Sequence, residues 1–288
     1  MPITFRRVLT IIAVAAAAFS LAVVALLSPY PRPDFDALKG SLVAVEQGGP
    51  PAGDPATTDL TLRSSSGLPF RARLRAPAMM SSPAPALIVL GGLERGRESV
   101  AVAAQVVGET PVILASLDFP YFADPRPGGW AIVGALREAR PALYRMVAGT
   151  HLFVDFLERD PRVRRDRSIL IGVSRGAPIA VAVGGVDRRV AGLASLFGAD
   201  FPTMVGQALR PRAGLLADAV VPLVAWHFRA VDALRLAPAI PPRPFLVVGG
   251  RGDRRIPPPA IEVLAAAGAP AARVVWLDTP HPNPTTSE

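Results

Sequence analysis

Two short segments, residues 59–63 and 70–75, alternate apolar and polar positions on either side of Ser66-Gly67. Alternation with period two around a turn dipeptide predicts an antiparallel hairpin. Six apolar runs follow, at residues 86–90, 111–117, 168–173, 190–197, 245–249 and 273–277. They are short and continuous, as expected for strands buried on both faces of a parallel sheet. Helical patterns lie between most of them, at residues 99–107, 142–159, 177–184 and 258–267. Strand and helix in alternation predict an α/β fold, with a mostly parallel central sheet and helices on both faces. Residues 201–241 break the alternation with an apolar stretch containing Trp226 and Phe228, long enough for two or three helices. A small helical cap over the C-terminal edge of the sheet is the expected placement.

The N-terminus has a different pattern. Arg6 and Arg7 precede an uncharged run of twenty residues, 8–27. At helical rise this spans about 30 Å, the hydrocarbon thickness of a bilayer. Residues 1–28 are therefore expected to form a transmembrane anchor or a cleavable signal helix, with Val23 and Ala25 at small-residue positions before a cut. A buried core helix is the third alternative. Either membrane reading leaves the two arginines inside and the rest of the chain outside the cytoplasm. Pro29, Pro31 and Pro33, then the Gly- and Pro-rich residues 46–57, predict an extended linker over 29–57. The folded domain is expected at 58–288, with the cap inserted at about 201–241.

Composition narrows the chemistry. Half of the 288 residues are hydrophobic and 19% are charged, a balance that excludes a largely disordered chain. There is no cysteine, which rules out disulfide scaffolds, thiolate metal sites and thiol nucleophiles. The three histidines, His151, His227 and His281, lie far apart and form no metal-binding pair at helical spacing. The net charge of +8 comes from scattered arginines, Lys39 being the one lysine. The densest run, Arg162, Arg164, Arg165 and Arg167, is expected in a loop, and no aromatic residues interleave with it. Nucleic acid is therefore not an expected partner.

One pentapeptide concentrates the chemistry. Gly172-Val173-Ser174-Arg175-Gly176 matches G-x-S-x-G, preceded by the strand-like Ile169-Leu170-Ile171 and followed by a small-residue helix. A sharp strand-turn-helix junction exposes a serine hydroxyl at a helix N-terminus, and the two glycines remove side chains that would clash there. The bland alternative is a tight turn in which Ser174 caps the helix. A serine hydroxyl is a weak nucleophile without a base. His281, in Thr279-Pro280-His281-Pro282 after the last strand, is the candidate base; a tail histidine without a partner is its alternative. His151 falls in a helical pattern as a packing or surface residue. His227 falls in the cap, where substrate contact and simple burial are both open. A base of this kind needs a carboxylate to orient it. Asp253, after Gly249-Gly250-Arg251-Gly252, is ranked ahead of Asp200 for that position.

The order Ser174, Asp253, His281 resembles that of the α/β-hydrolase superfamily, over roughly residues 58–281. The resemblance implies an α/β-hydrolase fold and a Ser-His-Asp catalytic triad. It also implies an oxyanion loop at Gly91-Gly92-Leu93, with the backbone N–H groups of Leu93 and Arg175 as donors. The loop starts Leu90-Gly91-Gly92 instead of the commoner His-Gly, which shifts the donor register by up to a residue. Residues 91–96 and 172–177 are locally similar to the dienelactone-hydrolase and acyl-CoA-thioesterase branches. Glu94 either faces such a site or is a solvated loop carboxylate, Tyr121 and Phe122 line an acyl pocket or pack in the core, and Arg175 either meets an anionic substrate group or is solvated.

The expected function is an extracytoplasmic serine hydrolase that cleaves a carboxylic ester or thioester through an acyl-enzyme. No metal or organic cofactor is required for it. Its expected partners are a small-molecule acyl ester or thioester substrate and, through the N-terminal helix, a membrane. An acyltransferase using the same triad is one alternative. The other is a catalytically inactive binding module of the same fold tethered to the membrane.

Overall fold

The computed structural model describes residues 33–51, 54–77, 80–92, 96–119, 131–213 and 216–282. The predicted membrane or signal helix, Leu93, Glu94, Tyr121 and Phe122 lie outside these residues. Among the described residues no helix is long and apolar enough to cross a membrane.

A sheet of nine strands runs through the molecule in the order β1-β2-β3-β5-β4-β6-β7-β8-β9. β1 (Leu42–Gln47), β2 (Thr57–Ser64) and β3 (Pro69–Arg75) form an antiparallel meander, and β3 pairs antiparallel with β5 (Ile113–Leu117). From β5 onward all pairing is parallel, through β4 (Ala84–Leu90), β6 (Val163–Val173), β7 (Gly192–Leu196), β8 (Phe245–Gly250) and β9 (Ala272–Leu277). Every residue of β5 is buried, which explains its mostly apolar run: both of its faces are covered. The strand order reverses around β4, flanked by β5 and β6. In open α/β sheets ligands bind at the carboxyl ends of strands flanking such a reversal.

The helices are α1 (Phe35–Lys39), α2 (Ser99–Val107), α3 (Ala131–Leu157), α4 (Ala177–Val186), α5 (Phe201–Ala213), α6 (Leu216–His227), α7 (Ala233–Leu236) and α8 (Pro258–Ala267). Close approaches fix which face each covers. Gly149 of α3 lies against Phe70 of β3, Gly184 of α4 against Leu193 of β7, and Gly268, just past α8, against Phe245 of β8. The strand register puts Phe70, Leu193 and Phe245 on one face of the sheet. The turn leading into α2 lies on the other face, where Ser116 Oγ donates to the Gly96 carbonyl at 3.0 Å. Toward β8 and β9 that second face is barer, with Leu246, Val275 and Leu277 exposed. α5, α6 and α7 occupy the segment expected as a cap.

The expected linker over residues 29–57 is corrected by the structure, because it contains α1 and the first strand. Asp34 Oδ1 accepts the Asp36 and Ala37 N–H groups at 3.0 Å each, a side-chain N-cap for α1. Ser64 Oγ donates to the Lys39 carbonyl and Ser66 Oγ to that of Leu38, tying α1 to the β2–β3 turn. Gly40 sits at φ +60°, where a Cβ would lie 2.6 Å from the hydroxyls of Ser64 and Ser65. β1 carried no readable period because it is an edge strand with mostly exposed side chains, Val43 being 67% exposed.

The arginine run is likewise not a loop. Residues 164–167 form the exposed first half of β6. α3 begins before the predicted residue 142 and takes Pro141 into its interior.

Candidate active site

Three strand ends build the site. β6 ends at Val173, and Ser174 follows at φ +50°, a left-handed conformation that costs an L-residue about 1–2 kcal/mol. The chain then makes one 3₁₀ turn, Ser174–Gly176, and enters α4. Two neighbouring glycines allow this reversal. A Cβ on Gly172 would overlap the Cα of Ala177, and one on Gly176 would overlap the carbonyl oxygen of Leu90 at the end of β4. A third glycine was not read from the sequence: a Cβ on Gly198 would overlap the Ala177 side chain and approach the Ser174 carbonyl to 2.6 Å. The elbow is thus wedged between the loops that follow β4 and β7.

Ser174 Oγ lies 3.1 Å from His281 Nε2. This hydroxyl bond goes to the imidazole; no side chain caps the turn or α4. On the other side of the ring, His281 Nδ1 lies 2.7 Å from Asp253 Oδ2. The Asp253 side chain is fully buried and that of His281 is 9% exposed. Asp253 Oδ1 accepts the N–H groups of Arg255 at 2.8 Å and Ile256 at 2.9 Å, so the carboxylate is held at both oxygens. With Oδ2 accepting the Nδ1 proton, Nε2 is left as an acceptor for the serine hydroxyl.

The loops after β8 and β9 also hold each other. Arg251 N–H donates to the Leu277 carbonyl at 2.9 Å, and Gly252 N–H to that of Thr279 at 3.3 Å. Phe197, at φ +51° after β7, meets the His281 ring edge-on with centroids 6.3 Å apart. The imidazole is thereby packed on one side and hydrogen-bonded at both nitrogens.

The other predicted positions fall as follows. Asp200, the rival acid, caps α5: its oxygens accept the Thr203 N–H at 2.9 Å and the Thr203 hydroxyl at 2.7 Å. His151 is buried in α3, edge-on to Phe35. His227 is buried at the end of α6 against Phe228, and lines a cavity that contains none of Ser174, Asp253 and His281. Arg175 is half-buried directly after Ser174, and its N–H belongs to the first turn, where helical N–H groups lack an intrahelical acceptor. The second expected donor, Leu93, lies outside the described residues. Gly91 and Gly92 at the end of β4 are described, and a Cβ on Gly176 would lie 2.7 Å from the Gly91 carbonyl, so the β4 loop borders the elbow.

Chemically, this arrangement can supply a base to a hydroxyl, with the base oriented by a buried carboxylate, beside N–H groups at a helix start.

Neither protein-family models nor curated protein sequences give a match to the chain. Solved structures do. An acetyl xylan esterase from Paenibacillus sp. R4 superposes with a TM-score of 0.68 at 17% identity, over 87% of this chain and 87% of that one. A glucuronoyl esterase from Solibacter usitatus gives a TM-score of 0.56 at 16% identity, over 90% of this chain and 86% of that one. An α/β hydrolase from Penicillium sp. sh18 gives 0.56 at 17% identity, over 78% and 91%. At these identities the likeness is one of fold, and the fold is that of the α/β hydrolases.

Proposed function

We propose that this chain is a serine esterase acting on carboxylic esters, thioesters included, through an acyl-enzyme. The observation that carries the proposal is the continuous row from Ser174 Oγ through His281 to Asp253, at 3.1 and 2.7 Å. Ser174 Oγ attacks the substrate carbonyl as its proton passes to His281 Nε2. Asp253 holds the tautomer and stabilises the imidazolium that forms. The carbonyl oxygen becomes an oxyanion facing the Arg175 N–H and a donor from the loop after Gly92; each such donor lowers a barrier of this kind by about 3 kcal/mol. Collapse of the tetrahedral intermediate expels the alcohol or thiol with the proton from His281. Water, deprotonated by the same imidazole, then releases the acid and restores the serine.

The likeness in fold to an acetyl xylan esterase and a glucuronoyl esterase supports ester over amide substrates. The apolar run at residues 8–27 behind Arg6-Arg7 supports work outside the cytoplasm, tethered or exported. Fluorophosphonate labelling tests the chemistry. The expected result is a single modified serine, Ser174, and no labelling of Ser174→Ala. Intact protein that stays unlabelled beside a reacting serine hydrolase overturns the proposal. Fractionation of producing cells, with mass spectrometry of the mature N-terminus, tests the location.

A further inference from the structure

A second concavity lies in the helical layer, with a volume of about 340 Å³. Arg140 and Tyr144 of α3 form one wall; Trp226 and His227 at the end of α6, with Arg229 and Arg235, form the other. Among the described residues no carboxylate lines it. Asp232, close enough to interact with Arg235, is engaged as the N-cap of α7, accepting the Leu234 N–H at 3.1 Å. Among the described residues neither Arg229 nor Arg235 has a carboxylate within ion-pair distance. Arg229 instead lies over the Trp226 ring, 4.6 Å from its centroid.

The cavity is separate from the serine site. Its wall residue Leu236 packs on Gly185, in the last turn of α4. The elbow lies at the other end of that ten-residue helix, about 15 Å away at helical rise.

We propose that this cavity binds a small organic anion, a phosphate- or carboxylate-bearing molecule with a flat ring. Arg229 and Arg235 bring two guanidiniums without an ion-pair partner among the described residues to one hollow, where a negative charge would relieve their repulsion, and planar guanidinium forks match the oxygens of phosphate and carboxylate. Tyr144 and the imidazole of His227 add polar groups. Trp226, already holding one guanidinium against its face, offers an apolar plate for the ring. The volume lies within the range of sites for small ligands, about 300–1,000 Å³.

The test is isothermal titration of the full chain with three probes: adenosine monophosphate, phthalate and pyrophosphate. The first two carry a ring with phosphate or with carboxylates, and the third has charge without a ring. Saturable binding of a ringed probe is expected, tighter than that of pyrophosphate. It should weaken at least about tenfold in Arg229→Gln/Arg235→Gln, the loss of charge-assisted hydrogen bonds. Arg235→Glu, a reversal on an exposed side chain, should weaken the same probe with the melting temperature unchanged. The rate of fluorophosphonate labelling at Ser174 should be the same with and without the probe. The proposal is overturned if no probe saturates at millimolar concentration. It is also overturned by affinity that survives the double substitution, or by probes that slow labelling by occupying the serine site.

Discussion

Gly176 packs so closely beneath Leu90 that a single added methyl would collide with the Leu90 carbonyl oxygen. Its backbone dihedrals, φ −76° and ψ −20°, are open to any residue, so the demand for glycine here is one of space alone. The contact joins the elbow after β6 to the end of β4 and sets the distance between Ser174 and the β4 loop. Gly176→Ala must push backbone against backbone. The expected cost is about 1–3 kcal/mol in unfolding free energy, with fluorophosphonate labelling slowed more than tenfold. A variant that labels at the wild-type rate would show that the spacing is not needed.

Ser174 has the opposite requirement: its φ of +50° strains any residue with a Cβ. Ser174→Ala and Ser174→Gly both remove the hydroxyl and its bond to His281, so comparing them isolates the backbone. The glycine variant should be the more stable, by about 0.5–1 kcal/mol once its greater unfolded-state entropy is counted. Chemical denaturation of the two proteins measures the difference. A glycine variant less stable than the alanine variant would mean that the elbow carries no backbone strain.

Much of the site could be read from the chain because its parts are local. The strand, the G-x-S-x-G turn and the small-residue helix occur in one stretch, and Asp253 and His281 each follow an apolar strand. Their convergence is not local: it depends on β8 and β9 lying beside β7 in parallel register. Asp200 and Asp253 both follow strands, and only their hydrogen bonds separate them, Asp200 turning to Thr203 and Asp253 to His281. β1 was missed because an exposed edge strand has no buried face to impose a period. Gly198 was missed because the crowding around it comes from the distant elbow.

The Asp253 carboxylate is fixed by its surroundings in a way that makes an amide substitution informative. In Asp253→Asn the Arg255 and Ile256 N–H groups still require an oxygen at the Oδ1 position. The new NH₂ must then face His281 Nδ1 and donate to it. The imidazole is driven to the tautomer with its proton on Nε2, which cannot accept from Ser174. A fall in kcat of about 10⁴, with little change in KM, is expected by analogy with Ser-His-Asp enzymes. Asp200→Asn should leave kcat within about twofold, its effect confined to the α5 cap. Ester hydrolysis by the two purified variants decides between the carboxylates, and a slower Asp200 variant would reverse the assignment.

His151 predicts how stability changes with pH. Burial pushes its imidazole below the ordinary value; Asp187 pulls it up, while Arg189 and Lys39 push it down further. The folded state therefore favours neutral histidine, and the unfolded state binds the proton first. Stability from this group is complete above about pH 6.5 and is lost as pH falls toward the lower, folded value, by at most about 1.4 kcal/mol per pH unit. Asp187 acts the same way in a more acidic range: burial alone would raise it, but hydrogen bonds from Arg189 hold its carboxyl down. His151→Gln should flatten the slope between pH 5 and 6.5, the region just below the histidine's ordinary value. Parallel stability profiles for the two proteins would remove His151 from this role.

Arg243 ties the far end of α4 to the segment that follows α7. Its Nη2 donates to the carbonyls of Gly184 and Ala239, Nη1 to those of Asp187 and Val190, and Nε to that of Ile240. Gly184 is in the last turn of α4, where carbonyls lack intrahelical partners. One planar fork thus satisfies acceptors from α4, the loop before β7 and the turn before β8. Arg243→Met removes all five bonds and leaves part-buried carbonyls unpaired, at an expected cost of about 2–4 kcal/mol. Arg243→Lys keeps the charge but not the fork, and should recover less than half of that loss. Because the elbow is at the opposite end of α4, molecules that remain folded should react normally with fluorophosphonate. Thermal unfolding combined with active-site titration separates the two effects. Full rescue of the melting temperature by lysine would show that charge, and not the geometry of the fork, is what this position supplies.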